Sequence, residues 1–300
     1  EVAAKRAKYY QDCGADSLML LPPYFLKPGA GAIYEHMKTV CNAVDIPVVV
    51  QYAPEQTGVA IAPEIMANLR NDCKTELYYK IECKPAGGYI SNLLRLTDNG
   101  VKVFIGNAGY QFIECFDRGA IGAMPGGSMF DLYLQIYDKY VSGDRKGAMQ
   151  LHGSVLLPFL NHIRQNVEMI ITYEKRIMMR RGMIETDYCR KPTFATDPVF
   201  DSMFDEFYEM TLPYLLGQAG VQIDLKDGTR ILFDPYLTDT LHETKGERFA
   251  RLVPPPEDIA ALDPDILAIT HDHGDHLDMA TLEYWLDGQR TYPVLGPYSV

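Results

Sequence analysis

The sequence predicts an α/β protein: a run of parallel βα units, a helical segment, and then a second, smaller α/β module. Three observations predict it. Short apolar runs beginning at residues 17, 48, 77, 101 and 121 alternate with amphipathic stretches, at spacings of 31, 29, 24 and 20 residues. That is room for a strand, a crossover helix and two loops. From residue 129 to about residue 208 the apolar positions recur with helical period. Near residue 212 the pattern changes again, to two alternating strands around Asp227-Gly228 and an apolar strand that runs into a histidine-rich turn.

The elements follow in order. The chain opens in helical register over 2–12, ending at Gly14, with neither a Met nor a capping residue at its start. The expectation is a chain cut at its N-terminus. Strand 17–21 leads into Pro22-Pro-Tyr-Phe25. Helix 32–43, strand 48–51, helix 63–70, strand 77–82, helix 89–97, strand 101–105, helix 110–118 and strand 121–124 complete five units. Helices over 130–141, 146–165, 168–181 and near 200–208 come next. Glycines after several strands (Gly58, Gly87, Gly88, Gly106, Gly109, Gly126, Gly127) read as turn residues. A (β/α)8 barrel needs eight strands and about 250 residues. Five units and C-terminal helices therefore read as the last part of such a TIM barrel, with three strands expected upstream of Glu1.

Composition narrows the class. The chain has 300 residues, 47% hydrophobic and 23% charged, the balance of a soluble globular protein. A net charge of −12 argues against nucleic acid or an anionic membrane as partner. Cysteines 13, 41, 73, 83, 115 and 189 form no CxxC and read as reduced thiols of a cytoplasmic protein. No apolar run approaches the ~20 residues that span a bilayer.

Lys80 stands in the middle of the strand over 77–82. An amine there must be paired, reach water or be held neutral. One reading is a lysine on a solvated edge. The other is a nucleophile at the mouth of a barrel, condensing with a carbonyl to give a Schiff base. Lys84 is the rival amine, in the loop after the strand. Gly106-Asn-Ala-Gly109 is not a dinucleotide fingerprint, because the third glycine and the acidic partner are missing.

The stretches Gly14-Ala-Asp-Ser-Leu-Met-Leu-Leu-Pro-Pro-Tyr24, Ile46-Pro-Val-Val-Val50, Pro54-Glu-Gln-Thr-Gly58, Tyr79-Lys-Ile-Glu82, Gly119-Ala-Ile-Gly122 and Leu156-Leu-Pro158 together resemble the dihydrodipicolinate synthase / N-acetylneuraminate lyase family of class I aldolases. The resemblance covers residues 1 to about 208. It implies a lyase or aldolase acting on a 2-oxo acid such as pyruvate. No cofactor is implied beyond the lysine Schiff base, formed by Lys80, and a homo-oligomer through the barrel module is a further implication. It also implies Tyr24, Gln51 and Tyr52 as catalytic candidates, and Gln56, Thr57, Gly106 and Asn107 around the substrate. Three departures set this chain apart. Gln51 stands where the family has a proton-relaying tyrosine, and Tyr52, one place on, faces the other way unless a bulge re-aims it. Gln56 stands where the lysine-pathway synthase has an arginine, and a neutral amide cannot make the bidentate contact of a guanidinium. Phe25 replaces a second tyrosine. The resemblance is thus to an aldolase or lyase for a different 2-oxo acid, or to a degenerate member of the family.

After a junction over 209–216, residues 217–300 form the second module. His271-Asp-His-Gly-Asp-His276 follows an apolar strand directly. Histidine nitrogens and aspartate oxygens suit borderline metals such as zinc, or manganese. His271 and His273 can share one metal, while Asp275 and His276 can reach a second. The motif resembles the His-x-His-x-Asp-His turn of the metallo-β-lactamase fold. With Gly217-Gln-Ala-Gly220 and Phe233-Asp-Pro-Tyr236 it is similar to the ascorbate-6-phosphate lactonase-like branch. That implies the first part of an αββα fold, a metal-dependent hydrolase, and Asp234 as a partner standing behind the ligands. Three functions follow: a Schiff-base aldolase or lyase, a metal-dependent lactonase-like hydrolase, and a non-catalytic truncated or joined-gene fragment.

Overall fold

The computed structural model describes residues 1–215, 220–225, 227–246, 259, 262–270, 272–286 and 291–296. The chain divides into two compact units, residues 1–125 and 126–300. No described helix is long and apolar enough to cross a membrane.

In the first unit the order is α1 (Val2–Asp12), β1 (Leu18–Leu20), α2 (Ala30–Cys41), β2 (Val48–Tyr52), α3 (Pro54–Thr57), α4 (Pro63–Asp72), β3 (Leu77–Ile81), α5 (Ala86–Leu96), β4 (Lys102–Ile105), α6 (Phe112–Asp117) and β5 (Gly122–Ala123). The five strands form one parallel sheet in the order β1-β2-β3-β4-β5. Each of the five predicted strands is present, shortened by a residue or two or, for β2, extended to Tyr52. Pro54 and Pro63 start α3 and α4 at the first helical position, where a missing N–H loses nothing. Helix α5 begins at Ala86, three residues earlier than the sequence suggests. Gly87 and Gly88 therefore lie in its first turn and not in a loop. Gly87 is small for a reason, since a Cβ there would meet Glu114 Oε1 at 2.3 Å and Arg118 Nε at 2.6 Å.

The sheet has two different faces. Leu77, Tyr79 and Ile81 alternate with Tyr78 and Lys80 along β3 and are fully buried on the helix side. There the Tyr79 hydroxyl donates to the Met66 carbonyl of α4 at 2.7 Å. Val48, Val50 and Tyr52 of β2 share that face, and Ile33, Met37, Met66, Leu69 and Ile90 of the helices are buried as well. The opposite face carries Gln51, Tyr78, Lys80 and Phe104. Burying one face fixes the register, because a slip of one residue would bring Lys80 into the apolar layer.

The second unit opens with α7 (Phe130–Val141), α8 (Arg145–Leu151), α9 (Leu157–Ile163), α10 (Val167–Arg180) and α11 (Pro198–Thr211). Asp144, Asn166 and Asp197 cap α8, α10 and α11 by accepting backbone N–H groups. The single helix predicted over 146–165 is instead two helices joined by a π-helical turn at His152–Leu156. Pro158 lacks the N–H that an unbroken α-helix would use there. Arg181, fully buried, donates to both carboxylate oxygens of Asp131, at 3.1 and 2.6 Å, and to the Ser128 carbonyl. It fastens the end of α10 to the start of α7.

The unit then forms a four-stranded sheet in the order β6-β7-β8-β9, with β6 (Val221–Asp224), β7 (Arg230–Phe233), β8 (Ile266–Ala268) and β9 (Val294–Leu295), and short helices α12 (Thr240–Lys245) and α13 (Met279–Leu282). The predicted hairpin is present, β6 pairing antiparallel with β7. Gly228 has φ +90°, and the Asp227 carboxylate accepts the Thr229 N–H at 3.0 Å. Leu232, Leu237, Leu267, Ile269, Leu282 and Trp285 make the core of this sheet.

Candidate active site

Strands β2 and β3 pair with Gln51 opposite Lys80. The ladder continues past the end of β3: Glu82 N–H donates to the Tyr52 carbonyl and Gly106 N–H to the Ile81 carbonyl, both at 2.8 Å. Glu82 is thus held in strand geometry two residues beyond Lys80, and both side chains point to the same face. Lys80 Nζ lies 3.0 Å from Glu82 Oε1, with the two side chains 14% and 11% exposed. Gln51 Nε2 donates to Glu82 Oε2 at 2.9 Å, and Asn107 N–H donates to Oε1 at 3.3 Å.

One carboxylate therefore collects three donors at the C-terminal ends of three neighbouring parallel strands, where such folds keep their chemistry. A charge this far from water needs its partners. Here it has an amine, an amide and a backbone N–H.

Gly106 makes the seat. A Cβ there would stand 2.0 Å from Glu82 Cγ and 2.6 Å from Oε1. Beyond it the chain turns through Asn107, Ala108 and Gly109 with φ of 51°, 51° and 70°. Ala108 holds this left-handed conformation without the relief that glycine has, at about 1–2 kcal/mol. The turn aims the Asn107 N–H at Glu82.

The other sequence candidates fall elsewhere. Tyr52 is a correction: β2 and β3 pair without a bulge through Tyr52 and Ile81, so its ring faces the helices. It stacks on Tyr89 at 4.6 Å between centroids, and its hydroxyl accepts the Ile61 N–H at 3.4 Å. Burial pushes the phenol above its ordinary ionisation range. Thr57 is a second correction. Its hydroxyl donates to the Ala53 carbonyl at 2.8 Å and accepts from Val59 N–H at 3.3 Å, so it closes the loop after β2 from inside. Gln56 is exposed on the same turn. Tyr24 is half exposed after β1 and lines an open apolar groove of about 640 Å3 with Pro23, Phe25, Leu26 and His36. It makes no hydrogen bond to Lys80, Gln51 or Glu82. Lys84 is paired with Glu55 at 2.9 Å, both half exposed, and lies over the Tyr110 ring. Its amine stays in water, unlike that of Lys80. Glu82 itself escaped the sequence reading as a site residue. The signal was its spacing of two from Lys80 on a strand.

A profile of the Dihydrodipicolinate synthetase family matches residues 1–202. The chain belongs to the dihydrodipicolinate synthetase family. Among relatives of this family member, L-2-keto-3-deoxyarabonate dehydratase of Azospirillum brasilense is 29% identical over 197 residues, 64% of this chain and 62% of that protein. A 4-hydroxy-tetrahydrodipicolinate synthase of Thermosipho melanesiensis is 31% identical over 137 residues, 44% and 47% of the two chains. The chain thus spans between about half and three-fifths of the length of these relatives. The crystal structure of dihydrodipicolinate synthase from Rhodopseudomonas palustris superposes with a TM-score of 0.63, at 23% identity, over 69% of this chain and 70% of that one. That likeness carries the fold.

The family match ends at residue 202, before the second sheet. There Asp234, buried after β7, accepts the Thr270 N–H and hydroxyl, both at 2.7 Å, and lies 3.0 Å from His276 Nδ1. His276 Nε2 is 3.8 Å from Asp275 Oδ2. His273 is exposed and its carbonyl accepts the His276 N–H at 2.9 Å. His271 lies outside the described residues. Among the described residues no three His, Cys, Asp or Glu side chains gather where they could hold a metal ion. The expected four-ligand set is therefore not assembled from them.

Proposed function

We propose that the protein is a Schiff-base lyase for a 2-oxo acid, with Lys80 as the covalent amine and Glu82 as the group that moves protons beside it. The single observation that carries this reading is the 3.0 Å approach of Lys80 Nζ to the buried Glu82 carboxylate. A carboxylate in contact with the amine can take its proton, so that the free lone pair attacks the C2 carbonyl. Glu82 returns that proton to the carbinolamine hydroxyl, which leaves as water to give the iminium, and the iminium withdraws electrons from C3. Glu82, ionised again, then takes a C3 proton and passes it to the C4 hydroxyl, which departs as water. Hydrolysis of the iminium returns the lysine. Gln51 and the Asn107 N–H hold the carboxylate in place through these steps.

Elimination of water, rather than condensation with a second carbonyl, is favoured by three features. A tyrosine relay is replaced by Gln51, whose amide is engaged with Glu82. The Azospirillum brasilense relative is a dehydratase for a 2-keto-3-deoxy sugar acid. Gln56, neutral and exposed, is a poor clamp for a second carboxylate. We therefore infer a 3-deoxy-2-oxo sugar acid as the substrate class.

The test separates binding from turnover. Glu82→Gln keeps the amine and the hydrogen-bonding shape but cannot accept a proton. Borohydride trapping of pyruvate on Lys80 should still reach completion, more slowly, while dehydration of a 2-keto-3-deoxy sugar acid falls about 10²–10⁴-fold. Turnover equal to that of the wild type would remove Glu82 from the mechanism. Release of pyruvate instead of a dehydrated 2-oxo acid would shift the reading to carbon–carbon cleavage.

A second reading concerns residues 217–300, as the first part of a metal-dependent hydrolase. It is favoured by Asp234, which engages His276 through Nδ1 and so leaves Nε2 as the ligand atom, 3.8 Å from an Asp275 oxygen. Two ligand atoms each about 2.0–2.2 Å from one zinc ion can stand that far apart. Among the described residues His276 and Asp275 are the two that would hold the ion, which would supply an activated water. Zinc and manganese per chain, measured before and after His276→Ala, decide it; the same content in both would end this reading.

A further inference from the structure

We propose that Cys41 and Cys73 are a peroxide-oxidisable dithiol that closes to a reversible disulfide between the end of α2 and the end of α4. The two residues are far apart in sequence and adjacent in the fold. Cys41 is the last residue of α2, and Cys73 follows the last residue of α4. The Asn42 side chain brackets Cys73, donating from Nδ2 to the Asp72 carbonyl at 3.1 Å and accepting the Lys74 N–H on Oδ1 at 3.0 Å. Lys38 Nζ reaches the Asp72 carboxylate at 2.9 Å, and the Tyr34 hydroxyl donates to the same carboxylate. These contacts pin the backbone on both sides of Cys73 against the residue that follows Cys41, which sets the two thiols beside each other.

The pair is asymmetric in the way a redox couple requires. Cys41 is wholly buried, while Cys73 is 8% exposed and flanked by exposed Asn71, Asp72 and Lys74. The neighbouring Cys41 thiol holds the Cys73 thiol below its ordinary range, in spite of burial and the Asp72 charge, with Lys38 acting in the same direction. Cys41 is pushed up by the neighbouring Cys73 thiol and by burial. Cys83 and Cys115 are pushed up by burial, to about 11 and about 12. Cys73 thus has the thiolate character that oxidation selects, and Cys41 is the resolving thiol beside it.

The chemistry balances with hydrogen peroxide as oxidant. The Cys73 thiolate attacks one peroxide oxygen and hydroxide leaves, giving a sulfenic acid. The Cys41 sulfur then attacks the Cys73 sulfur, forming the S–S bond and expelling water. A small thiol returns both cysteines to the reduced form by exchange. The link would join α2 to the segment just before β3, at the N-terminal ends of β2 and β3. Lys80 and Glu82 lie at the opposite ends of those strands.

The test treats the protein with hydrogen peroxide and maps peptides without reduction. The expected product is a crosslinked peptide pair containing Cys41 and Cys73, lighter by two hydrogen atoms, with a raised melting temperature that dithiothreitol reverses. Lys80 should still trap pyruvate in the oxidised form. In Cys41→Ser, dimedone should capture a sulfenic acid on Cys73; in Cys73→Ser, Cys41 should stay unmodified. Absence of the crosslinked peptide in the wild type, or oxidation of Cys13 or Cys189 ahead of Cys73, would overturn the proposal.

Discussion

Replacing Gly106 by alanine should disable the site without touching any reacting group. The Gly106 backbone is extended, with φ −92° and ψ −153°, which any residue adopts, so the cost of a side chain there is purely steric. The added Cβ would lie 2.0 Å from Glu82 Cγ, 2.8 Å from Cδ and 2.6 Å from Oε1, where carbon–carbon contact needs about 3.5–4.0 Å. Glu82 is 8% exposed and its backbone is fixed by the Tyr52 carbonyl. Its side chain must therefore rotate away, and the contacts to Lys80, Gln51 and Asn107 go with it. Overpacking of this kind costs about 1–3 kcal/mol, and each charged hydrogen bond lost adds about 1.5–3 kcal/mol. Turnover should drop by the general acid–base factor of about 10²–10⁴, with Lys80 still trapping pyruvate. Gly88→Ala is the control. No atom lies within 4 Å of its Cβ, and the position is helical, so it should leave activity intact and stabilise by about 0.5–1 kcal/mol. Steady-state dehydration assays and thermal melts of the two variants suffice. A Gly106→Ala variant turning over at the wild-type rate would refute the reasoning, because it would mean that the position of Glu82 does not matter.

Three further outcomes follow from the same geometry. Tyr52→Phe should keep trapping and turnover and lose at most about 1 kcal/mol of stability, since the hydroxyl meets only the Ile61 N–H; a collapse of trapping would return Tyr52 to the catalytic set. Arg181→Met should lower stability by about 3–5 kcal/mol, because it strands the buried Asp131 carboxylate without its partner; a melting temperature unchanged from the wild type would contradict that. Asp138 is pushed above the ordinary carboxylate range by burial and by the Asp224 charge, against Arg230. Its contribution to stability is present below the ordinary Asp value of about 3.9 and is lost as pH rises through the raised value. Asp138→Asn should therefore melt above the wild type at neutral pH and converge with it below about pH 4, and the reverse ordering would be inconsistent with a part-buried carboxylate there.

Much of this architecture is legible in the sequence alone. Apolar runs at crossover spacing located all five parallel strands, because a strand buried by helices leaves few polar positions. Asp227-Gly228 announced its hairpin through turn chemistry alone. What stayed hidden depended on contacts between distant residues. Gly106 reads as a turn glycine until Glu82 is seen beneath it. Tyr52 is attractive by family position, and only the unbroken β2–β3 register turns it to the helix side. Glu82 was overlooked because a carboxylate at a strand end is ordinarily a solvated rim residue; the three donors around it come from three separate segments. The break at His152–Leu156 had one signal in the sequence, Pro158, which lies inside the single helix expected over 146–165.

The most direct measurement is reduction of the protein with borohydride in the presence of pyruvate, followed by peptide mapping. The account predicts that the reduced three-carbon adduct falls on Lys80 alone, and that Lys80→Arg abolishes it. An adduct on Lys84, or no adduct at all, would contradict the central claim that the amine beside Glu82 is the nucleophile.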